Sequence, residues 1–360
     1  MLEQDIAAAM DEGIRQRAMP GGVVCLARGG NTILHRAWGH SYLYDTPTTL
    51  AHDPLPARDD GIYDIASLTK LFTATRVLQL VEEGHLELDR RVATYLPEFA
   101  AGGKERVTVR HLLTHTSGFA AGMPLHEIHG RREERLQAVF QASLVAAPGA
   151  TYCYSDLGFI TLGALSERLG GRPLDEQVAR HIADPLHLSD TCYRPHPQLR
   201  DRVAPTEFSP GDASGPSWGT VHDENAASLG GVAGHAGLFS TAADIARFGE
   251  LFLRDGILDG VRVVQTQTVR AMRRLQTPTI PAAWRGLGFY LNQQHFMGEL
   301  ASPDTFGHTG FTGTSIVIDP RRDLVLVILT NRVHPSRQEP RINAVRVAVA
   351  DAVARAFPLT

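Results

Sequence analysis

The chain has 360 residues, 43% hydrophobic and 21% charged, with a formal net charge of -4. That length allows one large two-lobed unit or two domains, and the small negative charge gives no reason to expect nucleic acid or an anionic membrane as a partner. The longest purely aliphatic run, Leu324 to Leu329, falls far short of a membrane span.

Residues 3 to 17 read as an amphipathic helix in which Ile6, Met10 and Ile14 share a face, broken by Pro20-Gly-Gly. This acidic start lacks the basic and apolar stretches of a secretory signal, so a cytoplasmic protein is expected. Val23 to Ala27 and Thr32 to Trp38 read as a strand pair around Gly29-Gly30-Asn31. Residues 45 to 60, rich in Pro, Thr and Asp, read as a loop. From Ser67 the pattern turns helical and apolar nearly all round, which predicts a buried helix ending at Gly84. Further helices are predicted at 108–115, 131–145, 157–169, 173–183 and 241–254, the last with a capping box from Thr241 to Asp244. Residues 201 to 237 read as a long irregular stretch, and loops of that length tend to be functional. Ser315 to Ile318 and Leu324 to Leu329 flank a turn; the second strand is apolar on both faces and belongs in the middle of a covered sheet. A helix over 341–356 closes the chain. Cys25, Cys153 and Cys192 are too widely spaced for a disulfide framework or zinc site, and each is expected to be a small buried hydrophobe.

Strands near both termini and helices between them predict an α/β (α+β) fold. Residues 1–61 and 265–360 would form a discontinuous sheet domain, and 62–264 a mostly helical one, with the active site in the cleft.

Of the 35 Lys and Arg residues only two are lysine. Lys104 stands in Gly-Gly-Lys-Glu-Arg; Lys70 stands in Ser67-Leu68-Thr69-Lys70. Arginine stays protonated in proteins, whereas a lysine can lose its proton when its charge is poorly solvated. An amine one helical turn after Ser67 could therefore take the hydroxyl proton and create a nucleophile. Burial of that helix would push the lysine toward neutrality. Ser67 at the start of a helix would also have a backbone N–H with no helical acceptor, free to meet a developing oxyanion.

Ser-x-x-Lys is weak alone, but Tyr154-Ser155-Asp156 and His308-Thr309-Gly310 follow in order. Together with Leu112-Leu-Thr-His-Thr-Ser-Gly118, Gly230 to Thr241 and Gly307 to Gly313, these stretches make the chain resemble the serine β-lactamase and penicillin-binding protein family, which includes esterases and D-amino-acid peptidases. The resemblance implies a β-lactamase/transpeptidase-like fold with an antiparallel sheet flanked by helices. It implies a serine hydrolase that acylates Ser67, with Lys70 and Tyr154 as catalytic partners and no metal or organic cofactor. Asp156, His308, Thr309, Gly310 and Phe311 would bind substrate, with the Phe311 N–H as second oxyanion donor and the 308–310 segment on an edge strand. The substrate would be a small acyl compound: an ester, a D-amino-acid peptide or a β-lactam.

Two departures shape the expectation. Asp156 stands where Asn is common, and an ionised Asp156 would favour a charged Lys70 and shift proton transfer toward Tyr154. His308 replaces a common Lys and pulls less on a substrate carboxylate near neutral pH. An esterase or D-Ala-D-Ala carboxypeptidase-like hydrolase with weak or no β-lactamase activity is expected. A slow-turnover penicillin-binding sensor is an alternative. So is an α/β-hydrolase using Ser217 of Gly215-Pro-Ser-Trp-Gly219, although that segment lacks the flanking strand and helix. His111 and His115 have the i,i+4 spacing of zinc ligands but lack the Glu of zinc proteases, and they read as helix and loop histidines with structural hydrogen bonds. Phe119, Met123 and Trp218 are candidate cleft-lining residues.

Overall fold

Both ends of the chain meet in one sheet in the computed structural model, which describes residues 1–208, 215–281 and 283–359. Its seven strands are β1 (Gly21–Arg28), β2 (Asn31–Thr46), β3 (Thr49–Pro56), β4 (Tyr290–Leu291), β5 (Phe306–Thr309), β6 (Ser315–Asp319) and β7 (Leu324–Thr330). They lie in the order β3-β2-β1-β7-β6-β5-β4, and every pairing is antiparallel. β7 is central and buried along its whole length, as its two apolar faces require.

Side-chain alternation divides the core in two. Val23, Cys25, Val325, Val327 and Leu329 face one cluster; Val24, Leu26, Leu324, Leu326 and Ile328 face the other. Terminal helices α1 (Leu2–Arg15) and the closing Ile342–Ala356 pack together over the second face. The first face carries Ala242–Leu253, which packs on β1, β6 and β7 although the sequence places it with the helical lobe. Beyond it, in the same continuous core, lie the buried helix α2 (Thr69–Glu82) and α3 (Asp156–Gly170).

The segment read as a loop at 45–60 is a correction. It holds β3, which pairs with the second half of a β2 twice as long as predicted. Both faces of this hairpin arm are largely exposed, so no apolar alternation marks it. Pro54 and Pro56 are tolerated because β3 is an edge strand. Other predicted elements shrink at their ends: 108–115 to Val109–Leu113, 131–145 to Arg132–Gln141, and 173–183 to Leu174–Val178 followed by a π turn over Ala179–Ala183. The irregular stretch 201–237 contains the short helix Glu224–Ser228, and residues 209–214 of it lie outside the described residues. Of the cysteines, Cys25 is buried, its thiol pushed up to about 12 by desolvation, whereas Cys153 and Cys192 are only half-buried.

Candidate active site

The chain reaches Ser67 through a constrained elbow. After the short strand Tyr63–Asp64, Ala66 adopts φ +46°, a left-handed conformation costing on the order of 1–3 kcal/mol for a non-glycine residue. Neighbouring bonds hold it there. The Ala66 N–H donates to Asp64 Oδ1 at 2.8 Å, and the other carboxylate oxygen accepts the His222 N–H at 2.7 Å. Thr312 and Thr314 donate their hydroxyls to the carbonyls of Asp64 and Ile65 at 2.7 and 3.0 Å. Ser67 then sits in a 3-10 turn, Ala66–Leu68, that feeds α2.

Lys70, on the first turn of α2, is fully buried. Its three ammonium protons meet three acceptors: Ser67 Oγ at 2.9 Å, the His235 carbonyl at 3.0 Å and Asp156 Oδ1 at 2.8 Å. Burial alone pulls its pKa down, but the Asp156 carboxylate, followed by Tyr154, outweighs burial and holds it above the ordinary lysine value. Of the two sequence expectations, desolvation toward neutrality and a charge held by Asp156, the geometry favours the second: Asp156 faces the amine and keeps it charged. The loop carrying His235 is pinned to α2 through Thr69, whose hydroxyl accepts the Leu238 N–H, and Thr73, which donates to Gly234.

Tyr154 is held across the cleft, its ring 4.9 Å from Lys70 Nζ. Burial raises its phenol pKa while Lys70 opposes the rise. The sequence reads His115 as a structural histidine at zinc-like spacing, and it supports this tyrosine. Its ring stacks on Tyr154 at 4.4 Å. Its carbonyl accepts the Cys153 N–H and its Nδ1 the Ser155 N–H, each at 3.0 Å. Burial, then Arg285 and Lys70, hold His115 well below its ordinary pKa, so the ring is neutral. Arg285 and Tyr290 complete this wall: the guanidinium lies 3.3 Å from the Tyr290 ring and 5.5 Å from that of Tyr154. Neither was singled out in the sequence, since an isolated Arg or Tyr carries no spacing signal.

The other side of the cleft is β5 and the turn after it. β4 pairs with β5 only at Phe306 and Gly307, so on that side the 308–309 end has no strand neighbour, while β6 continues to pair with it on the other. Gly310 has no room for a side chain: a Cβ would lie 2.1 Å from Thr314 Oγ1 and 2.6 Å from the Ile65 carbonyl. The backbone N–H groups of Ser67 and Phe311 bond no other protein backbone group among the described residues, which leaves two donors at the cleft. His308 differs from its sequence expectation. It is fully buried, donates Nδ1–H to the Thr309 carbonyl at 2.8 Å, and is held neutral by burial and then Arg285. It backs the wall beside Tyr290 and is not among the residues lining the cavity.

That cavity, about 390 Å³, is lined by Ser67, Tyr154, Asp156, Thr309, Gly310 and Phe311, joined by Asp223, Tyr290, Arg332, Asn343 and Arg346. A larger one, about 700 Å³, lies apart from Ser67; Arg132 is paired there with Glu167, and Arg194 with Asp175, so size is no guide to the chemistry.

The remaining candidates lie elsewhere. Phe119 is core, packed edge-on against Phe99, and Met123 packs against the same core. Trp218 stacks on Tyr42 and donates Nε1–H to the Val203 carbonyl at 2.6 Å. Ser217 exchanges backbone bonds with Thr206 and Glu207 and stands between no strand and helix, which removes the nucleophile elbow its motif needs. His111 accepts the Thr108 N–H in a cap, so both members of the zinc-like pair are used by backbone donors.

A serine bonded to a buried lysine, a tyrosine opposite, two unspent N–H donors and a cleft beside an antiparallel sheet define a serine hydrolase that works by acyl transfer. The comparisons agree. The Beta-lactamase family model matches residues 2–351, and the chain belongs to that family. Relatives named for D-alanyl-D-alanine carboxypeptidase activity are 34% identical: one from Escherichia coli (strain K12), over 93% of this chain and 84% of the relative, and one from Salmonella agona (strain SL483), over 88% and 79%. Among solved structures, EstCE1, a hydrolase with promiscuous acyltransferase activity, superposes with TM-score 0.76 at 24% identity, covering 97% of this chain and 98% of that one. A penicillin-binding protein homolog from Caulobacter crescentus gives 0.75 at 19%, covering 97% and 96%. These two establish the fold. No helix among the described residues is long and apolar enough to cross a membrane.

Proposed function

We propose that the chain hydrolyses small D-amino-acid peptides or the corresponding esters through an acyl-enzyme on Ser67, releasing a leaving group that carries a carboxylate. The observation that carries the reading is the placement of Ser67 in a cavity whose lining includes two guanidiniums that bond no carboxylate among the described residues. Arg332 donates to the carbonyls of Phe311 (2.8 Å) and Glu339 (2.6 Å). Arg346 donates to the carbonyls of Gly310 (2.9 Å) and Thr314 (2.7 Å) and to the Asn343 amide oxygen (2.7 Å). Uncompensated positive charge of this kind favours an anionic group on the substrate. The names of the 34%-identical relatives support the peptide form of the substrate.

Proton traffic follows from Lys70 being charged. An ammonium donates to Ser67 Oγ and cannot take its proton, so Tyr154, as phenolate beside Lys70, is the base. Ser67 Oγ attacks the carbonyl carbon, and the N–H groups of Ser67 and Phe311 receive the oxyanion. The proton taken by Tyr154 passes to the leaving nitrogen as the C–N bond breaks; water then repeats the sequence on the ester. Because burial raises the phenol pKa, kcat/KM rises with pH through the alkaline range.

Intact mass after incubation with a penicillin and with a chromogenic ester tests the reading. A single adduct in the wild type, absent from Ser67→Ala, and turnover of the ester are expected. An adduct that survives Ser67→Ala overturns the nucleophile, and a burst without turnover converts the enzyme into a slow binder.

A further inference from the structure

One residue of the cavity has no place in that chemistry. Asp223 caps the helix Glu224–Ser228 through Oδ1, which accepts the Ala226 N–H at 2.8 Å. The same oxygen accepts Nε2–H of the buried His235 at 2.8 Å. Its second oxygen, Oδ2, has no hydrogen-bond partner among the described residues. Burial works against ionisation of Asp223, but His235 and the capped N–H outweigh it and hold the carboxyl well below the usual range. Asp156 repeats the pattern: Oδ1 is taken by Lys70 and Oδ2 has no partner among the described residues.

Charge bookkeeping then shows a cavity with two kinds of wall. On one wall the carboxylates of Asp156 and Asp223 each keep one oxygen without a hydrogen-bond partner among the described residues, with Lys70 the one ammonium beside them. Arg332 and Arg346 bond only carbonyl and amide oxygens, and Arg346, buried to 4% exposure, has Nε without any partner. Burial, with Arg332 beside it, pushes the Arg346 pKa down to about 9, so it is still a cation at neutral pH. About 390 Å³ suits a molecule of dipeptide size.

We propose that Asp223 Oδ2 binds the free ammonium of the acyl residue, so that the preferred substrate is an unblocked, zwitterionic D-amino-acid dipeptide. This rests on the Ser67 reading above and narrows it. Peptide chemistry fixes the direction: the amine belongs to the residue that acylates Ser67, and the carboxylate leaves with the departing amino acid. A blocked amine, as in a longer peptide, would leave Asp223 as an uncompensated anion against an amide.

The test compares kcat/KM for D-Ala-D-Ala and N-acetyl-D-Ala-D-Ala at pH 7. A charge-assisted bond to an ammonium predicts a preference of about tenfold or more for the free dipeptide. Asp223→Asn keeps an oxygen for the helix cap and for His235 and should bring the ratio toward one. Glu224→Gln, one residue along and not part of the cavity wall, should leave it unchanged. In the wild type the preference should fade as pH rises through the α-amino pKa of about 8, a readout that needs no variant. Equal or better cleavage of the acetylated substrate overturns the proposal. So does failure to cleave the free dipeptide by enzyme whose Ser67 is still acylated by an ester. If Ser67 takes no adduct at all, the underlying reading has failed and this one falls with it.

Discussion

The only two lysines of the chain are both buried completely, and their surroundings drive them in opposite directions. Lys104 donates to the Ala142 carbonyl at 2.5 Å and lies over the rings of Phe99 and Phe119 at 5.5 and 5.9 Å. With no carboxylate bonded to it, burial lowers its pKa. Lys70 likewise has no exposed surface but meets Asp156 at 2.8 Å, and its pKa rises instead. Burial therefore supplies a general pressure toward the neutral amine, and one positioned carboxylate reverses it. The lysine that resembles a ready general base by environment is Lys104, far from any nucleophile. The one bonded to Ser67 is held as a cation.

The largest expected effect comes from removing that cation. Lys70→Met leaves Ser67 without its donor and Asp156 without its countercharge, and kcat/KM should fall by about 10³-fold or more. The same change at Lys104 should stay within about twofold of wild type, since no group of the cavity touches it. Steady-state kinetics on one ester checks both; a Lys70→Met enzyme within tenfold of wild type would break the contrast.

A smaller effect sharpens its cause. Asp156→Asn keeps a polar side chain but removes the charge that holds Lys70 above its ordinary pKa. Burial then meets only the weaker pull of Tyr154, as at Lys104 it meets only that of Glu105, and a neutral amine becomes available to take the Ser67 proton. The rise of kcat/KM with pH should move to lower pH, so that the rate at pH 6 relative to the plateau gains roughly tenfold. A limb that stays in place would mean that the carboxylate does not set the protonation of Lys70.

The sequence made the grouping of Ser67, Lys70 and Gly310 legible because the fold builds it locally: Ser67 and Lys70 share one helical turn, and Gly310 is required by a backbone approach that any Cβ would block. What it hid is what depends on long-range packing. Whether Asp156 points toward or away from Lys70 is decided by a meeting of α2 with α3 that no spacing encodes. His115 looked like half of a zinc pair because i,i+4 spacing is local; its stacking on Tyr154 joins segments about 40 residues apart. β3 escaped because an exposed edge strand has no apolar alternation to read. His308 was read as lining the cleft on its motif, whereas strand alternation places it with Phe306 on the buried face, its ring beside Tyr290.

The smallest effect concerns stability and tests Lys104 directly. Its ammonium binds the carbonyl of Ala142, the residue that caps the helix Arg132–Gln141, a favourable place for a cation. Against this stands the cost of burying a charge between aromatic rings. Lys104→Met loses a bond of about 1 kcal/mol but removes that cost and places a thioether against Phe99 and Phe119, a favourable contact. The two changes should nearly cancel, leaving unfolding free energy at pH 7 within about 1 kcal/mol of wild type. The pH dependence has a definite sign. A lowered folded pKa means that the unfolded chain binds more protons between the folded and unfolded values, so Lys104 makes wild-type stability rise with pH across that alkaline window. Lys70, with its pKa raised, contributes stability that is lost as pH climbs through its folded value. Denaturant unfolding of wild type and Lys104→Met from pH 7 to 10 should show the variant losing the rising component; the falling one from Lys70 begins only above the unfolded lysine value of about 10.4. A variant destabilised by more than about 2 kcal/mol at pH 7 would instead mean that the Ala142 contact outweighs desolvation, and that burial treats the two lysines less alike than their equal exposure implies.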